Sequence, residues 1–411
     1  MSANARATAD AVARRSYGKL VALLAARTSD VAGAEDALSE AFAAALAEWP
    51  KSGCPTSPEA WLLTVARRRL IDGLRKRRNG EIVADELLVL TNEYVDHAGE
   101  LPAIPDQRLA LMFACAHPAI DAGVRAPLIL QVVLGLNAET IGSAFLVAPA
   151  TMAQRLVRAK TKIRQAGIPF SIPDRENLGN RLAAVLEAIY AIFAEGWADA
   201  AGTDVARRDL AEEAIYLGHL VTELLPDEPE ALGLLALMLY TEARRRARRD
   251  AAGDYVPLAS QDTSLWDARM IEHAEALLHT ASERGAFDRY QLEAALQSAH
   301  VHRRQTGVAN WPHVVQLYDA LLEISDSPVV AINRALAVAE LQGPGAALSA
   351  LEAVADDPRL VEYQPYWAAR AALLAKTGSV MEARRAYGVA IGLERDPAVR
   401  RFLQQQLGAL K

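Results

Sequence analysis

Residues 151–164 read TMAQRLVRAKTKIR. Met152, Leu156, Ala159 and Ile163 recur at spacings of four, three and four, which is the buried stripe of an amphipathic helix. The adjacent face gathers Thr151, Gln154, Arg155, Arg158 and Lys162. Arg155, Arg158, Lys160, Lys162 and Arg164 stand in this stretch with no acid among them, although the whole chain has a formal net charge of −7. Just upstream, Asn137 is placed to cap a short helix, AETIGSAFL, with Ile141, Ala144 and Phe145 facing inward. Val147 and Ala148 make a tight connection, and Pro149 opens the next helix, where its missing N–H costs nothing. Two short helices joined by a tight turn, the second with a polar and basic outward face, predict a helix-turn-helix. On such a helix Arg can pair bidentately with guanine, Gln can pair with adenine, and Lys can meet phosphate.

The chain around this motif has 411 residues, of which 52% are hydrophobic, 23% charged and 6% aromatic. That balance is globular, and the length suits two or three domains. Ala and Leu dominate, and alternating β-branched runs are almost absent, so an all-α protein is expected. Cys54 and Cys115 are the two cysteines, too few for a disulfide framework or a zinc quartet. No secretory signal, no membrane span, no metal and no cofactor are expected, and the expected location is the cytoplasm. Through residue 170 there are 20 Lys+Arg against 17 Asp+Glu, a net of +3, which leaves −10 for the remainder. The two segments therefore meet different partners, or the second screens the first.

A second basic cluster lies upstream. The helix predicted over PEAWLLTVARRRLIDGLRKRR, residues 58–78, buries Leu62, Leu63, Ala66, Leu70 and Leu74. Trp61, Thr64, Arg68, Asp72 and Arg75 fall on the opposite side, and Arg67 belongs to the same basic cluster. The preceding helix, AGAEDALSEAFAAALAEWP, places Leu38, Ala41, Phe42, Ala45 and Trp49 on one stripe, and Trp49–Pro50 is expected to end it. Asp36 and Glu40, four apart, share another face. From Asn79 to Gln107 seven acids occur and no Lys or Arg interrupts them, which reads as a linker. From about residue 178 the chain turns into helix pairs bounded by Pro. Tyr318, Leu351 and Tyr387 occupy similar positions 33 and 36 residues apart, close to the period of tetratricopeptide repeats. The expected organisation is two small helical domains, 1–78 and 108–170, a linker at 79–107, and an α-solenoid from 178 to 411.

Other clusters carry weaker signals. The arginines of EARRRARRD, Arg244 to Arg249, read as a solvated helix end. His300 and His302 read as surface histidines. Cys115 and His117 read as a packed pair, because they offer too few ligands for zinc. No phosphate-binding Gly-rich loop and no nucleophile elbow appears, so an enzyme is not expected.

The order of these features resembles the extracytoplasmic-function sigma factors of bacterial RNA polymerase. LMFACAHPAI, AFLVAPATMAQRLVRAKTKIRQAGIPF, LEAIYAIFAEGWA, LLPDEPEALGLLALML and RYQLEAALQSAH are similar to the subgroup with a long tetratricopeptide-like C-terminal extension. The resemblance implies a protein that binds core RNA polymerase, through the β′ clamp helices and the β flap, and directs initiation at promoter DNA. It implies that Asp36 and Glu40 contact the polymerase and that Trp61, Arg67, Arg68 and Arg75 serve the −10 element, with the loop 51–57 taking a flipped base. It implies that Thr151, Gln154, Arg155, Arg158 and Lys162 read the −35 element, and that the repeats hold a protein or ligand partner. Two positions depart from the family pattern. Arg68 stands where many relatives have Asn, and Ala148 where the reading helix usually has a polar cap. An operator-binding regulator with a repeat-built sensor, and a repeat scaffold with no DNA role, are the competing readings.

Overall fold

A computed structural model describes residues 31–77, 107–165, 177–198, 205–285 and 287–410, with scattered helical positions between 6 and 25. The predicted acidic linker lies outside the described residues. Those described are helical, with one isolated bridge between Arg249 and Tyr255 and no strand among them. No helix among them is long and apolar enough to cross a membrane. The chain forms two compact units, residues 1–194 and 195–411.

In the first unit, α1 (Val31–Ser52) packs along α2 (Pro58–Arg77). Leu38, Ala41, Ala45 and Trp49 of α1 are buried, as are Leu62, Ala66 and Leu70 of α2. Leu63 is only half-buried, and the side chain of Leu74 lies outside the described residues. The helix does not stop at Trp49–Pro50. It runs on to Ser52, with Pro50 inside it. The Gly53 N–H still reaches the Trp49 carbonyl at 3.0 Å, and Gly53 takes the left-handed conformation at φ 88° that ends the helix. A proline near a helix end removes only one backbone bond, so the last turn survives.

Four further helices complete the described part of this unit: α3 (Gln107–Cys115), α4 (Ala122–Leu134), α5 (Ala138–Ala144) and α6 (Pro149–Gln165). The fully buried Phe113, Met112, Leu128, Ile129 and Leu130 form the centre of this part. Gly135, at φ 67°, caps α4 in the left-handed conformation. Most of α7 (Gly179–Ala198), as far as Ala194, also belongs to this unit, and Arg181 donates to the Phe113 carbonyl at 3.1 Å.

The second unit is built on α9 (Pro229–Glu242), which is buried without a break from Ala231 to Tyr240. A helix apolar on every side belongs at the centre of its unit. Around it pack α8 (Val205–Leu224), α10 (Ala268–Ser282) and α11 (Arg289–Thr306). Gly233 sits where a Cβ would lie 2.7 Å from the backbone nitrogen of Gln291, so only glycine permits this approach of α9 and α11. At the same crossing the Glu230 carboxylate accepts N–H bonds from Tyr290 at 3.0 Å and Gln291 at 3.1 Å. One acid thus serves two of the unbonded donors at the start of α11 and favours its dipole.

From Trp311 the unit becomes a run of hairpins: α12 (Trp311–Ile324), α13 (Pro328–Gln342), α14 (Pro344–Glu352), α15 (Gln364–Lys376), α16 (Val380–Leu393) and α17 (Pro397–Gly408). Each packs on the next. The first helices of the pairs begin 33 and 36 residues apart, as the spacing of Tyr318, Leu351 and Tyr387 suggests. Leu351 and Tyr387 are buried and Tyr318 half-buried, on α12, α14 and α16 in turn. The last helix folds back on the loop before α10. Arg401 reaches Asp254 at 2.7 Å, Tyr255 meets Phe402 edge-on at 5.5 Å, and Asp396 pairs with Arg249.

That loop overturns the reading of Arg244, Arg245, Arg248 and Arg249 as a solvated end, while Arg246 is exposed as expected. Arg244 is only 9% exposed and donates to Gln297 Oε1 at 2.7 Å. Arg248 stacks its guanidinium 4.1 Å from the centre of the Trp197 ring and donates to the Trp197 carbonyl at 2.7 Å. Arg245 lies over the same ring at 5.0 Å and pairs with Glu242. Burial pulls both Arg244 and Arg248 down to about 10, and both remain charged at neutral pH. The guanidiniums act as packing elements, because they stack on aromatics and bond several carbonyls at once.

His302 is exposed as expected, whereas His300 is half-buried. Its ring meets Trp311 edge-on at 6.5 Å, and burial, then the charges of Arg303 and Arg244, pull its pKa from 6.5 to about 4. The unfolded chain binds this proton near pH 6.5, whereas the folded chain refuses it until about pH 4. The neutral ring therefore stabilises the fold above pH 6.5, and that stability drains away as pH falls through this window. The expected loss is roughly 3 kcal/mol for a shift of this size. Melting temperatures of the full chain and of His300→Phe between pH 7 and 4 should diverge, with the variant showing the shallower acid slope. Parallel slopes would show that His300 does not drive the loss.

Candidate nucleic-acid interface

The candidate interface starts with α5 and α6. The Asn137 side chain accepts the Thr140 N–H at 2.8 Å and so caps α5 as its sequence predicts. The turn 145–148 follows, with Leu146 in the left-handed region at φ 53°. Gly142 is needed here: a Cβ would lie 2.6 Å from the Val147 carbonyl oxygen, and the Val147 N–H bonds back to the Gly142 carbonyl at 2.8 Å. This close return sets the angle at which α6 leaves the turn.

Met152, Leu156, Ala159 and Ile163 of α6 are buried against α4 and α5, the stripe read from the sequence. Thr151, Gln154, Arg155, Arg158 and Lys162 are all exposed. The fold therefore brings these five side chains onto one open side of one helix. Val157 adds to them. It is 64% exposed, between Gln154 and Thr161 on the helix surface, and a search for polar readers passes over it. Lys160 takes no part in this face. It points back to α1 and pairs with Glu35 at 2.7 Å.

On α2, Arg68 is exposed and Arg67 half-buried. Arg75 lies in the last turn of the described helix, and its side chain is outside the described residues. Trp61 is half-buried and meets the buried Trp49 edge-on at 5.5 Å. It is thus anchored in the α1–α2 packing with part of its ring in the open. Asp36 and Glu40 are exposed on α1, and Glu40 meets Arg69 of α2 at 3.4 Å across solvent. An exposed pair of this kind contributes little and is readily exchanged for another partner.

Glu35, next to Asp36, is the residue the sequence reading missed. It is 7% exposed, and burial pushes its carboxyl up from the ordinary value despite the opposing pull of Lys160. The lone signal in the sequence is position: Glu35 falls beside Leu38 on the inner stripe. Around the pair, burial also raises Tyr17 and Cys115, each with a contribution from the Glu35 charge. Cys115 is fully buried, while the His117 Nδ1 accepts the Ala119 N–H at 3.1 Å in the following turn. No group of His, Cys, Asp and Glu among the described residues could hold a metal ion.

Comparison with known proteins bears directly on the α1–α2 part. Residues 12–80 match sigma-70 region 2. Over 384 residues the chain is 38% identical to an uncharacterised protein of Rhizobium meliloti (strain 1021), covering 92% of this chain and 90% of the relative. The chain belongs to that protein's family. Its N-terminal module is of the bacterial sigma-factor type, characteristic of non-catalytic transcription factors. Residues 181–282 match a family of unknown function (DUF6596), a range that takes in most of α7 and all of α8, α9 and α10. No solved structure matches the chain.

Proposed function

We propose that the protein is a sigma factor of the extracytoplasmic-function type that binds core RNA polymerase and directs initiation from promoters with −10 and −35 elements. The observation that carries this reading is the exposed polar and basic side of α6 in the same compact unit as a sigma-70 region 2 module. In this reading Arg155, Arg158 and Gln154 address base edges of the −35 element, while Thr151 and Lys162 address its backbone. Val157 offers an apolar contact for a thymine methyl group. Arg67, Arg68 and Arg75 hold the −10 strand, and the open part of Trp61 stacks on an unpaired base. Asp36 and Glu40 face the β′ clamp helices, and the α3–α6 module faces the β flap.

The repeat period of α12–α17 supports a tetratricopeptide-like extension. Its stacked hairpins present a surface for a protein or ligand that regulates initiation. The deciding experiment is run-off transcription with purified core enzyme and a fragmented genomic library. Discrete transcripts that depend on the added chain support the proposal. Their absence, together with failure to be retained by core enzyme, overturns it.

A further inference from the structure

Three arginines of the second unit gather where no acid answers them. Arg244 and Arg248 flank the short helical turn Arg245–Ala247 that follows α9, and Arg303 belongs to the last turn of α11. The charges of Arg244 and Arg303 both act on the half-buried His300 ring. The Tyr255 phenol acts on both Arg244 and Arg248. Arg244 is thus the shared member: it adjoins Arg248 and Tyr255, and it shares His300 with Arg303.

Each guanidinium is fixed by part of its surface. Arg244 donates from Nε to the Tyr240 carbonyl at 3.3 Å and from Nη2 to Gln297 Oε1 at 2.7 Å. Arg248 donates from Nη1 to the Trp197 carbonyl at 2.7 Å while its plane lies over that ring. Arg303 lies 4.9 Å from the centre of the Trp311 ring. The rest stays free. Arg244 Nη1, Arg248 Nη2 and both terminal nitrogens of Arg303 make no hydrogen bond among the described residues, and none of them is sealed from solvent, unlike Arg303 Nε. This holds even for Arg244, a residue only 9% exposed.

Charge is the second sign. Stacking on tryptophan and bonding to carbonyls orient a guanidinium without cancelling its charge, and buried charges are ordinarily paired. The carboxylates beside this group are committed elsewhere: Glu242 to Arg245, Asp396 to Arg249 and Asp254 to Arg401. No carboxylate among the described residues pairs with Arg244, Arg248 or Arg303. The carboxyl ends of α9 and α11 offset about half an elementary charge each, which leaves about two of the three positive charges unanswered. A dianion matches that remainder. Every free guanidinium nitrogen is a donor, and neutral His300 and Tyr255 can each add one more.

We propose that Arg244, Arg248 and Arg303, with His300 and Tyr255, form a binding site for a dianionic phosphate group, free or as the monoester of a small molecule. A phosphate monoester carries close to two charges at neutral pH and concentrates them on three acceptor oxygens. Planar guanidinium forks fit such oxygens in pairs. Each fork is already held by a ring or a carbonyl, so binding costs little side-chain ordering. The site belongs to the second unit and does not depend on the sigma reading.

The test titrates the full chain by calorimetry with inorganic phosphate, glycerol 3-phosphate and succinate in a phosphate-free, low-chloride buffer. The parent should bind phosphate with a dissociation constant of about 1 mM or lower. Succinate, whose two charges sit at opposite ends of its carbon chain, should bind at least about tenfold more weakly. Arg244→Met and Arg303→Met should each lower phosphate affinity about tenfold or more, because each removes a charge-assisted contact. Arg246→Met removes the same charge from an exposed neighbour and should leave affinity unchanged. If the buried Arg244 variant fails to fold, Arg303→Met and Arg248→Met, in chains that melt as the parent does, decide in its place. Glycerol 3-phosphate bound as tightly as inorganic phosphate assigns the site to a monoester, and a strong preference for inorganic phosphate assigns it to the free ion. No binding by the parent, equal affinity for succinate, full affinity in the folded cradle variants, or an equal loss in Arg246→Met overturns the site.

Discussion

Replacing Arg155 and Arg158 together by Ala is expected to cut −35-dependent run-off transcription roughly a hundredfold or more. Both side chains are exposed on the open side of α6, and the buried stripe of Met152, Leu156, Ala159 and Ile163 holds the helix without them. Folding should therefore survive, and melting temperature should stay within a degree or two. A bidentate Arg–guanine pair discriminates by about 1–3 kcal/mol, so losing two such contacts reaches the stated range. Transcription measured on paired templates, one with the −35 element scrambled, separates the effect from general weakening. The parent should distinguish the templates and the double variant should not. If the variant transcribes both as the parent does, α6 is not the reading helix, whatever α1 and α2 do.

The second large effect is expected at the polymerase. Asp36→Lys with Glu40→Lys should reduce retention on immobilised core enzyme more than tenfold, because reversing charges across a complementary interface costs several kcal/mol. Both acids are exposed, and the Glu40–Arg69 contact at 3.4 Å is a solvent-facing pair whose loss hardly affects stability. The reversal leaves the buried Glu35–Lys160 pair in place, so the melting temperature should stay near that of the parent. That separates loss of docking from loss of folding. Undiminished retention would remove α1 from the polymerase contact.

The parts of the molecule that were legible in advance share one property: their determinants are local. The 4–3–4 spacing of Met152 to Ile163 sets the buried side of α6 whatever it packs against, because the helical period alone decides which side chains align. Asn137 caps α5 through a hydrogen bond spanning three residues. The 33- and 36-residue intervals reveal hairpins because each repeat solves the same packing problem against its neighbour. Locally, too, one expectation failed. Pro50 lacks one N–H donor, and this close to the helix end its loss does not stop the final turn.

The failures elsewhere were of another kind. The arginines 244–249 look like a charged, wet segment until Trp197, Gln297 and Asp396 are brought beside them. His300 looks exposed until Trp311 covers it. Glu35 looks like one more acid of α1 until Lys160 arrives from 125 residues away. Burial and pairing depend on which distant surfaces meet, and residue types along the chain carry little record of that.

The amino-acid sequence by itself determined that the chain is helical, where its basic helix faces lie and with what period its C-terminal hairpins repeat, because periodicity and capping act within a few residues. The tertiary structure alone decided that Lys160 leaves the basic face to neutralise a buried acid on another module, and that a run of arginines becomes part of a core. Desolvation and ion pairing are settled by neighbours in space, and those neighbours exist only once the chain has folded.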